Sequence, residues 1–483
     1  MAKNYFYNLL LSITNILFPI LSFPYVSRIL GPEGIGKAQF VYSFAQYFAL
    51  VAAIGIPIYG MKEIAKYRDD FEERSKVFSE LLAIYLLTSI CLCAVYLMVI
   101  SSFSFFSADK DMYLSAAGMV ILSFCYIEWL YTGMEQFKAV ALRSVLFKLI
   151  GLVMMYLFIK ERSDFRIYLY IMMFSFVGNN VLSFLLIKGK VKPVFKGLDL
   201  RKHIVPLLLI LGTTFATSMY TEMDTVLLGL LSDTKTVGLY TAAVKLSKIT
   251  IPFVISMGVV LIPKIAKDFA EHNLVEVQET LGKTFKFLAF FSVPVVAGLA
   301  LLAPEFIALF SGAEFLPATP SMRLLSLLPM IIGFGHLFLC MVLIPSGRNR
   351  EMLFCVICGM AMSLILNLLL IPHFKELGSS VANVCSEMLV TLLYFYFIRK
   401  HYSFTYDWKL LGKALFSVLF FIPLVWEVRE LSLPLVLTLI IAVSSCTLTY
   451  FLIQWFVFSN DFILIAVDMA KLRFQKTKRQ RRS

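Results

Sequence analysis

Seven ionisable side chains lie inside long apolar segments of this sequence, where a charge is costly. At the centre of a membrane-spanning helix, such a residue costs roughly 2.5–3.5 kcal/mol on insertion scales, so it marks a candidate path for a substrate, an ion or a proton. Buried cations can hold an anionic group, and buried carboxylates can exchange a proton or a metal cation. The cations are Arg28, Lys148, Lys245 and Lys248, and the acids are Glu128, Glu222 and Asp224.

The first-half residues of this set each have a structural alternative. Arg28 lies just inside the end of its apolar segment, so its long side chain could extend to the nearby membrane interface. Glu128 could form a static ion pair with Lys148 or with Arg143, which lies one to two helical turns nearer the surface.

The second-half residues form one cluster around a predicted turn. Asp224 precedes this turn by about seven residues, and Lys245 follows Gly238 by seven, so both are expected near 10 Å below the same surface. Lys245 and Lys248 are three residues apart and share a helix face. An Asp224–Lys245 bridge could be purely structural, or it could belong to a functional site. The sequence leaves both interpretations open.

The elements that must position these residues are apolar helices. Of the 483 residues, 59% are hydrophobic and 16% are charged, and the mean hydropathy is +0.82. Soluble globular proteins carry roughly 25% charged residues. Segments of bilayer-crossing length recur along the whole chain, and we count about fourteen of them. The sequence therefore predicts an all-α polytopic membrane protein.

A Gly- and Pro-rich stretch joins the first two predicted spans, 9–30 and 38–60. Gly31 and Gly34 permit a tight turn, so these spans should form a hairpin. Pro19 and Pro24 each remove a backbone donor, so the first span should be kinked. A bent opening helix that carries a buried cation predicts a moving part, with these four residues as its hinge.

The distribution of positive charge predicts the topology. The 44 Lys and Arg residues give a net charge of +13 and concentrate in alternate loops. Under the positive-inside rule, this bias places both termini in the cytoplasm and makes the number of spans even. Two of the basic loops contain Lys62, Lys66, Arg68, Arg74 and Lys76, and Lys188, Lys190, Lys192, Lys196, Arg201 and Lys202.

The chain also contains an internal repeat. Gly36 begins a span that an Ile-Ala-Lys sequence closes at Lys66, and Gly238 begins another that the same sequence closes at Lys267. We infer two lobes of like orientation, a recurring transporter plan that places the substrate path between them. The predicted domains are a six-helix lobe at 1–187, a basic cytoplasmic linker at 188–203, a second six-helix lobe at 204–398, two further spans at 399–470 and a basic cytoplasmic tail at 471–483.

Motifs for covalent chemistry are not evident in the sequence. It has no Gly-rich phosphate loop with its Lys-Ser/Thr, and its five histidines are scattered. Cys355 and Cys358 form a CxxC without a second pair or a neighbouring histidine, which is weak evidence for a metal or redox site. We therefore expect no catalytic residues, metal or cofactor. The basic tail lacks a folded basic domain, so we expect it at an anionic membrane surface and not on nucleic acid.

The stretch Pro-Tyr-Val-Ser-Arg-Ile-Leu-Gly-Pro-Glu-Gly-Ile-Gly-Lys at 24–37 resembles the opening signature of a known family. These are the bacterial polysaccharide-biosynthesis transporters, the Wzx-type oligosaccharide flippases of the multidrug/oligosaccharidyl-lipid/polysaccharide exporter superfamily. The resemblance implies a MATE-like fold in the bacterial inner membrane. It also implies a substrate: an O-antigen-type or similar oligosaccharide repeat unit on undecaprenyl pyrophosphate, moved from the inner to the outer leaflet by alternating access.

With that substrate, the candidate residues acquire roles. A pyrophosphate cannot cross hydrocarbon unpaired, so the cations are expected to bind it in a hydrated cavity. The acids are expected to exchange the coupling ion, H⁺ or Na⁺. The remaining expected partners are membrane lipids, a polysaccharide polymerase and a chain-length regulator. Asparagines inside the spans could contact sugar hydroxyls or could bond between helices; they are Asn15, Asn179, Asn180, Asn367 and Asn383.

Three other functions remain open at this stage. The first is a cation-coupled multidrug exporter on the same fold, whose cavity should be richer in acids and aromatic rings. The second is a membrane scaffold for a polysaccharide assembly complex, against which the short loops argue. The third is the closely related flipping of lipid II. Glu305 and Glu387 are acids for which the sequence suggests no partner.

Overall fold

The structure, a computed structural model, describes residues 2–458, with the side chains of 2–6 and 8 excepted. That part of the chain is mostly helical and contains no strand. Its α-helices are α1 (Ala2–Ala52), α2 (Ile56–Lys66), α3 (Phe71–Ser102), α4 (Lys110–Ile121), α5 (Glu128–Gly133), α6 (Phe137–Phe158), α7 (Phe165–Leu185), α8 (Arg201–Thr221), α9 (Asp224–Leu231), α10 (Thr234–Ile249), α11 (Ile251–Ala270), α12 (Leu274–Leu301), α13 (Ala303–Phe310), α14 (Thr319–Leu325), α15 (Leu328–Phe338), α16 (Asn349–His401), α17 (Trp408–Val418), α18 (Phe421–Glu430) and α19 (Leu435–Leu452). The predicted basic tail at 471–483 lies outside the described residues.

The predicted all-helical membrane fold is confirmed. In the described residues, 12 helices are long and apolar enough to cross a membrane. Two of them are far longer than a bilayer needs: Leu9–Ala52 has 44 residues and Asn349–His401 has 53. At 1.5 Å per residue the shorter of these would extend about 66 Å, twice the hydrocarbon thickness of a bilayer. The first covers most of the predicted spans 9–30 and 38–60, and the second covers the predicted spans 352–371 and 377–398. The count of fourteen stays a prediction.

Both long helices contain one residue with non-helical backbone angles, and the chain reverses there. In α1 this residue is Gly31, with φ 67° and ψ 177°. In α16 it is Lys375, with φ 49° and ψ −128°. The Ser379 hydroxyl donates to Asn367 Oδ1 at 2.9 Å, although an unbroken helix would place these residues about 18 Å apart. The chain of α16 must therefore double back at Lys375.

Contacts along α1 establish the same reversal at Gly31. The first half runs parallel to α6, whereas the second half runs antiparallel to α3. Pairs that fix these directions are Asn15 with Lys148 and Tyr25 with Ile159 for α6, and Phe44 with Tyr96 and Ala52 with Thr88 for α3. Helices α3 and α6 point in the same direction. This follows because α3 is antiparallel to α4, α4 is parallel to α7, and α7 is antiparallel to α6. The two halves of α1 therefore run in opposite directions. The predicted hairpin is therefore present.

The described chain forms two compact units. The first comprises the residues up to Ala242 with Phe310–Ala318 and Val356–Ser386. The second comprises Ala243–Leu309, Thr319–Cys355 and the described residues from Glu387 onwards. The division into lobes at 188–203 rests on span counts and on the sequence repeat, and it stays a prediction.

The basic linker 188–203 forms hydrogen bonds with α3 at several positions. The backbone N–H groups of Lys192 and Val194 donate to the hydroxyls of Ser75 and Ser79 at 3.0 and 2.9 Å. At the end of the linker, the buried Glu80 carboxylate accepts the N–H of Asp199 at 2.9 Å. The same carboxylate contacts Lys202 at 2.8 Å and His203 at 2.9 Å. The start of α8 is therefore held against α3.

The repeated glycines meet each other within the first unit. A Cβ atom on Gly36 would lie 1.6 Å from the carbonyl oxygen of Thr234, and one on Gly238 would lie 1.8 Å from that of Pro32. Gly36 and Gly238 are 202 positions apart, as are Pro32 and Thr234. Each repeat thus presents its glycine to the other's residue four positions earlier. This reciprocal contact is what an approximate twofold axis between the repeats would produce.

Candidate functional site

A cavity of about 440 Å³ lies within the first unit, between α1, α6 and α7. Its wall combines one cation, one acid, amides and aromatic rings. The polar lining residues are Asn15, Glu128, Ser144, Lys148, Ser175, Asn179 and Asn180, and the aromatic ones include Phe18, Tyr42, Tyr126 and Phe176. Neutral amides beside a cation provide donors and acceptors without adding charge. Such a wall can bind an anionic, hydroxyl-rich ligand.

Lys148 and Glu128 share this cavity without forming an ion pair. The Lys148 ammonium instead donates to the side-chain oxygen of Asn15. Glu128 interacts electrostatically with Lys148 and Arg143, but among the described residues no cation lies within 4 Å of its carboxylate. The static pair considered for Glu128 is therefore absent from this conformation, because Lys148 takes the amide oxygen of Asn15.

Two smaller spaces extend from this cavity inside the same unit. A space of about 310 Å³ shares Tyr126 and Phe176 with it. A third, of about 20 Å³, shares Gln46 with the second and reaches Glu222. Glu222 is exposed and follows the last residue of α8, where the helix is interrupted before α9. Glu128 therefore lines the first of these spaces and Glu222 the third, and the second space shares wall residues with both.

Asp224 is the centre of a buried polar cluster in the first unit. Its carboxylate accepts hydrogen bonds from the Tyr240 hydroxyl at 2.6 Å, the Asn383 amide at 2.5 Å and the Asn367 amide at 2.9 Å. Asp224 is 1% exposed, and both asparagines are buried as deeply. A carboxylate held by these neutral donors can exchange a proton, or it can ligate a cation together with the hydroxyl and amide oxygens around it.

The structure thus gives Asn367 and Asn383 a role that differs from direct sugar binding. Both amides point their nitrogen at Asp224, and the oxygen of Asn367 accepts the Ser379 hydroxyl at 2.9 Å. Lys245 and Lys248 lie on α10 within the second unit and are half-buried. The predicted pairing of Asp224 with Lys245 stays a prediction.

Arg28 lies in the last turn before the break at Gly31. Its side chain is exposed, and Nη1 donates to the carbonyl oxygen of Pro24 at 2.8 Å. Within α1, Pro19 and Pro24 keep helical backbone angles, and Gly31 alone departs from them. The first reversal is therefore made at Gly31, since glycine adopts a positive φ without steric cost. The hinge role assigned to Pro19, Pro24, Gly31 and Gly34 stays a prediction.

The second unit contains an apolar cavity of about 330 Å³ that the sequence analysis missed. It lies between α12, α18 and α19, and its wall includes Phe290, Phe291, Phe421, Tyr450 and Phe451. No local sequence signal identifies it, because phenylalanines that line a cavity look like those that face lipid. The ligand such a wall fits is a hydrocarbon chain.

One expectation about an acid was wrong. The sequence suggests no partner for Glu305, but Arg429 binds it through two hydrogen bonds of 2.6 and 3.0 Å. Arg429 also donates to the carbonyl oxygen of Leu301 at 2.8 Å. These residues are 124 positions apart, so the pair became visible only when the fold brought α13 and α18 together. It is a bidentate structural contact.

Sequence comparisons identify related families. The family model described as polysaccharide biosynthesis protein matches residues 1–269, and that of the lipid II flippase MurJ matches residues 187–466. A Shigella dysenteriae protein whose name describes an O-antigen transporter is 25% identical over 406 residues, which cover 81% of this chain and 98% of that protein. The lipid II flippase MurJ of Bacillus subtilis (strain 168) is 28% identical over 165 residues, covering 34% of this chain and 30% of that protein.

Solved structures show the same fold. The lipid II flippase MurJ in an inward closed conformation superposes with a TM-score of 0.73 at 14% identity, covering 96% of this chain and all of that one. An inward-facing multidrug resistance MATE family transporter of the MOP superfamily superposes with a TM-score of 0.64 at 18% identity, covering 80% of this chain and 93% of the other. The predicted MATE-like architecture is confirmed.

Proposed function

Because the chain belongs to the polysaccharide biosynthesis protein family, we propose that it is a flippase that moves a lipid-linked oligosaccharide between the leaflets of a membrane. Its relatives are named as a transporter and a flippase, so its function is transport and not an enzymatic reaction. The observation that carries the proposal is the cavity of the first unit, where Lys148, three asparagines and several aromatic rings surround one space.

We further propose the finer assignment that the sequence resemblance implies. The substrate is a repeat unit on undecaprenyl pyrophosphate, and it passes from the inner to the outer leaflet of the cytoplasmic membrane. Both termini then lie in the cytoplasm, and a polysaccharide polymerase and a chain-length regulator act on the product.

The cavity fits the polar part of such a substrate for electrostatic reasons. An isolated anion cannot enter a low-dielectric interior unless an opposite charge accompanies it. In this proposal Lys148 supplies that charge, and it exchanges the Asn15 oxygen for a phosphate oxygen. Asn179 and Asn180 offer amides to sugar hydroxyls, and the aromatic rings offer flat apolar faces. Arg28, Lys245 and Lys248 are the further cations that we assign to the substrate path.

The apolar cavity of the second unit suits the hydrocarbon part of the substrate. Its lining of Phe290, Phe421, Tyr450 and Phe451 presents aromatic and aliphatic surface almost exclusively. Transfer of a methylene group from water to such surface gains about 0.8 kcal/mol, but a prenyl chain already lies in lipid. We therefore assign this cavity to holding the chain in place and not to driving its binding.

Asp224 is our candidate for coupling transport to an ion. Because its buried carboxylate accepts hydrogen bonds from Tyr240, Asn367 and Asn383, gain or loss of a bound cation changes all three at once. These residues belong to α9, α10 and the two halves of α16, so the ion can alter the packing of several helices. Glu222 and Glu128 are the second and third candidates.

The reciprocal glycine contact supports alternating access. Gly36 and Gly238 bring the two repeats into backbone contact at one end of the first unit. In this proposal, rocking of the lobes forms this contact in one state and opens it in the other. The adjacent break at Gly31 is where the backbone can absorb that change.

A deletion and rescue experiment tests the flippase proposal. Cells lacking the gene are expected to accumulate a complete lipid-linked repeat unit and to lose surface polysaccharide. A plasmid copy should restore export, whereas Lys148→Gln should lower it at least tenfold, since one lost charged hydrogen bond is worth about 1.5–3 kcal/mol. Extraction and quantification of lipid-linked intermediates provides the measurement.

Lys110→Gln is the matched control, since it removes an exposed lysine at the start of α4. It should export normally. If both variants export normally and membrane levels are equal, the role assigned to Lys148 is wrong. If deletion leaves surface polysaccharide unchanged and lowers only drug tolerance, the multidrug exporter alternative, which the MATE-like fold also permits, replaces the flippase.

A further inference from the structure

A buried guanidinium with unpaired donors lies between the cavity of the first unit and the basic linker 188–203. Arg143, on α6, is 5% exposed, and neither Nη1 nor Nη2 has a hydrogen-bond partner in the described part of the protein. Its Nε donates to Asn179 Oδ1 at 3.3 Å, and its guanidinium lies over the ring of Tyr131. Arginine stays charged in proteins, so these donors cannot be silenced by loss of a proton. Such a group requires an explanation.

A second cation, Lys190, contacts the same aromatic ring as Arg143. The Arg143 guanidinium lies 4.7 Å from the centroid of Tyr131, and the Lys190 ammonium lies 5.2 Å from the same centroid. Burial and the positive charge of Arg143 lower the pKa of Lys190. No carboxylate among the described residues lies within 4 Å of either cation. Two cations therefore contact one ring, and neither forms an ion pair within 4 Å, although Glu128 interacts electrostatically with Arg143 from a greater distance.

Hydrogen bonds with surrounding residues hold Lys190 and Tyr131 in place. Lys190 donates to Gln136 Oε1 at 2.7 Å, and its carbonyl oxygen accepts two hydrogen bonds from the Arg74 guanidinium, at 3.1 and 2.9 Å. The Tyr131 hydroxyl donates to the carbonyl oxygen of Ser183 at 2.7 Å. Both the ring and the lysine that flank Arg143 are thus held by the first unit.

The position of the pair relates it to the cavity. Asn179, which accepts from Arg143, also lines the cavity that contains Lys148. Arg143 precedes Lys148 by five residues on α6, which is about 7.5 Å of helical rise. A series of cations therefore leads from the basic linker into the cavity, in the order Lys190, Arg143 and Lys148.

We propose that Arg143 and Lys190 form a phosphate-binding site that loads the substrate before it enters the cavity. This inference rests on the proposed flippase function, and it adds a site to that function. The two free nitrogens of a guanidinium match two oxygens of a phosphate group, and the lysine contributes a third donor. A bound phosphate would relieve the repulsion between the cations and would satisfy the unused donors. Lys148 then receives the phosphate from Arg143.

The test compares the thermal stability of the full-length protein in nanodiscs of phosphatidylcholine, with and without a phosphate ligand. The variants are Arg143→Met and Lys190→Gln, and the matched control is Lys188→Gln, an exposed lysine two positions away on the same linker. The ligands are inorganic pyrophosphate, undecaprenyl pyrophosphate placed in the nanodisc, and phosphatidylglycerol placed in the nanodisc.

Both pyrophosphate ligands are expected to raise the Tm of the wild type and of Lys188→Gln, and to leave that of Arg143→Met and Lys190→Gln unchanged. Without ligand, Arg143→Met should be as stable as the wild type or more stable, because it removes an unpaired buried charge. A purely structural arginine would give the opposite result, a lower Tm for Arg143→Met.

Other outcomes overturn the site. If pyrophosphate shifts the Tm of all variants equally, the ligand binds elsewhere. If phosphatidylglycerol alone gives the full shift, the site binds bulk phospholipid and does not load substrate. A ligand shift that depends on Arg143, in a protein whose deletion leaves polysaccharide export unchanged, would support the phosphate site and overturn the flippase function. If pyrophosphate shifts the Tm of all variants equally and deletion abolishes polysaccharide export, the flippase function is supported and the phosphate site is wrong.

Discussion

Asp224→Ala is expected to reduce export at least a hundredfold, the largest effect of any single polar substitution in the first unit. The substitution removes the acceptor for Tyr240, Asn367 and Asn383, all of which are buried. Each donor left unpaired costs about 1–3 kcal/mol, and the proposed coupling ion loses its only formal negative charge in this cluster. Export of polysaccharide in the deletion strain and the Tm of the purified protein provide the two measurements.

Asp224→Asn separates coupling from packing. Asparagine keeps the shape of the side chain and one of its two acceptor oxygens. The Tm of Asp224→Asn should therefore fall less than that of Asp224→Ala. If Asp224 carries the coupling ion, export should still fall by the same factor because the charge is lost. If export recovers with stability, the cluster is structural and the coupling role is wrong.

Asp233→Asn is the matched control, an acid nine positions further along the chain. Asp233 contacts Lys375 at 2.9 Å, and both side chains are about half exposed. Burial opposes ionisation of Asp233, but hydrogen bonds from the Thr236 N–H and from Lys375 outweigh it and lower the pKa of its carboxyl. It is therefore ionised at neutral pH, and its loss should cost at most about 1 kcal/mol, as for other exposed ion pairs. Export should be normal.

The fold was predictable because membrane helices are specified locally. A run of about 20 apolar residues is sufficient to predict a span, and the backbone requirement for internal hydrogen bonds leaves only a helix for it. The reversal at Gly31 was predictable for a similar reason, since glycine next to Pro32 favours a turn. The reversal in α16 was predicted only as a break between the spans 352–371 and 377–398. Its exact position has no such signal, because a lysine with φ 49° is held there by the fold and not by its own preference.

The candidate site was predictable in part. Ionisable residues in apolar segments stand out one by one, so Lys148, Glu128 and Asp224 were identified from the sequence. Their partners were not, because Asn367 and Asn383 lie 143 and 159 positions from Asp224. No local spacing encodes a contact of that length. The same reason hid the pair of Arg429 with Glu305.

The second large effect is expected at the reciprocal glycine contact, where Gly36→Ala should reduce export about a hundredfold. The backbone of Gly36 is helical, so alanine is conformationally acceptable, and the whole effect is steric. The added Cβ would lie 1.6 Å from the carbonyl oxygen of Thr234, which belongs to the backbone and cannot rotate away. Overpacking typically costs 1–3 kcal/mol, and the upper value corresponds to about a hundredfold loss of the closed state.

Gly118→Ala and a double variant make this prediction specific to the contact. Gly118 lies in α4 with open space around its Cα, so alanine there should leave export unchanged and should slightly stabilise the helix. Gly238→Ala should match Gly36→Ala, because its Cβ would meet Pro32 in the same way. The double variant should be less impaired than the product of the two single effects, since the first substitution already separates the repeats. If the loss of export in the double variant equals the product of the two single losses, the two glycines do not report on one contact. If Gly36→Ala exports normally, the repeats need not touch there during transport.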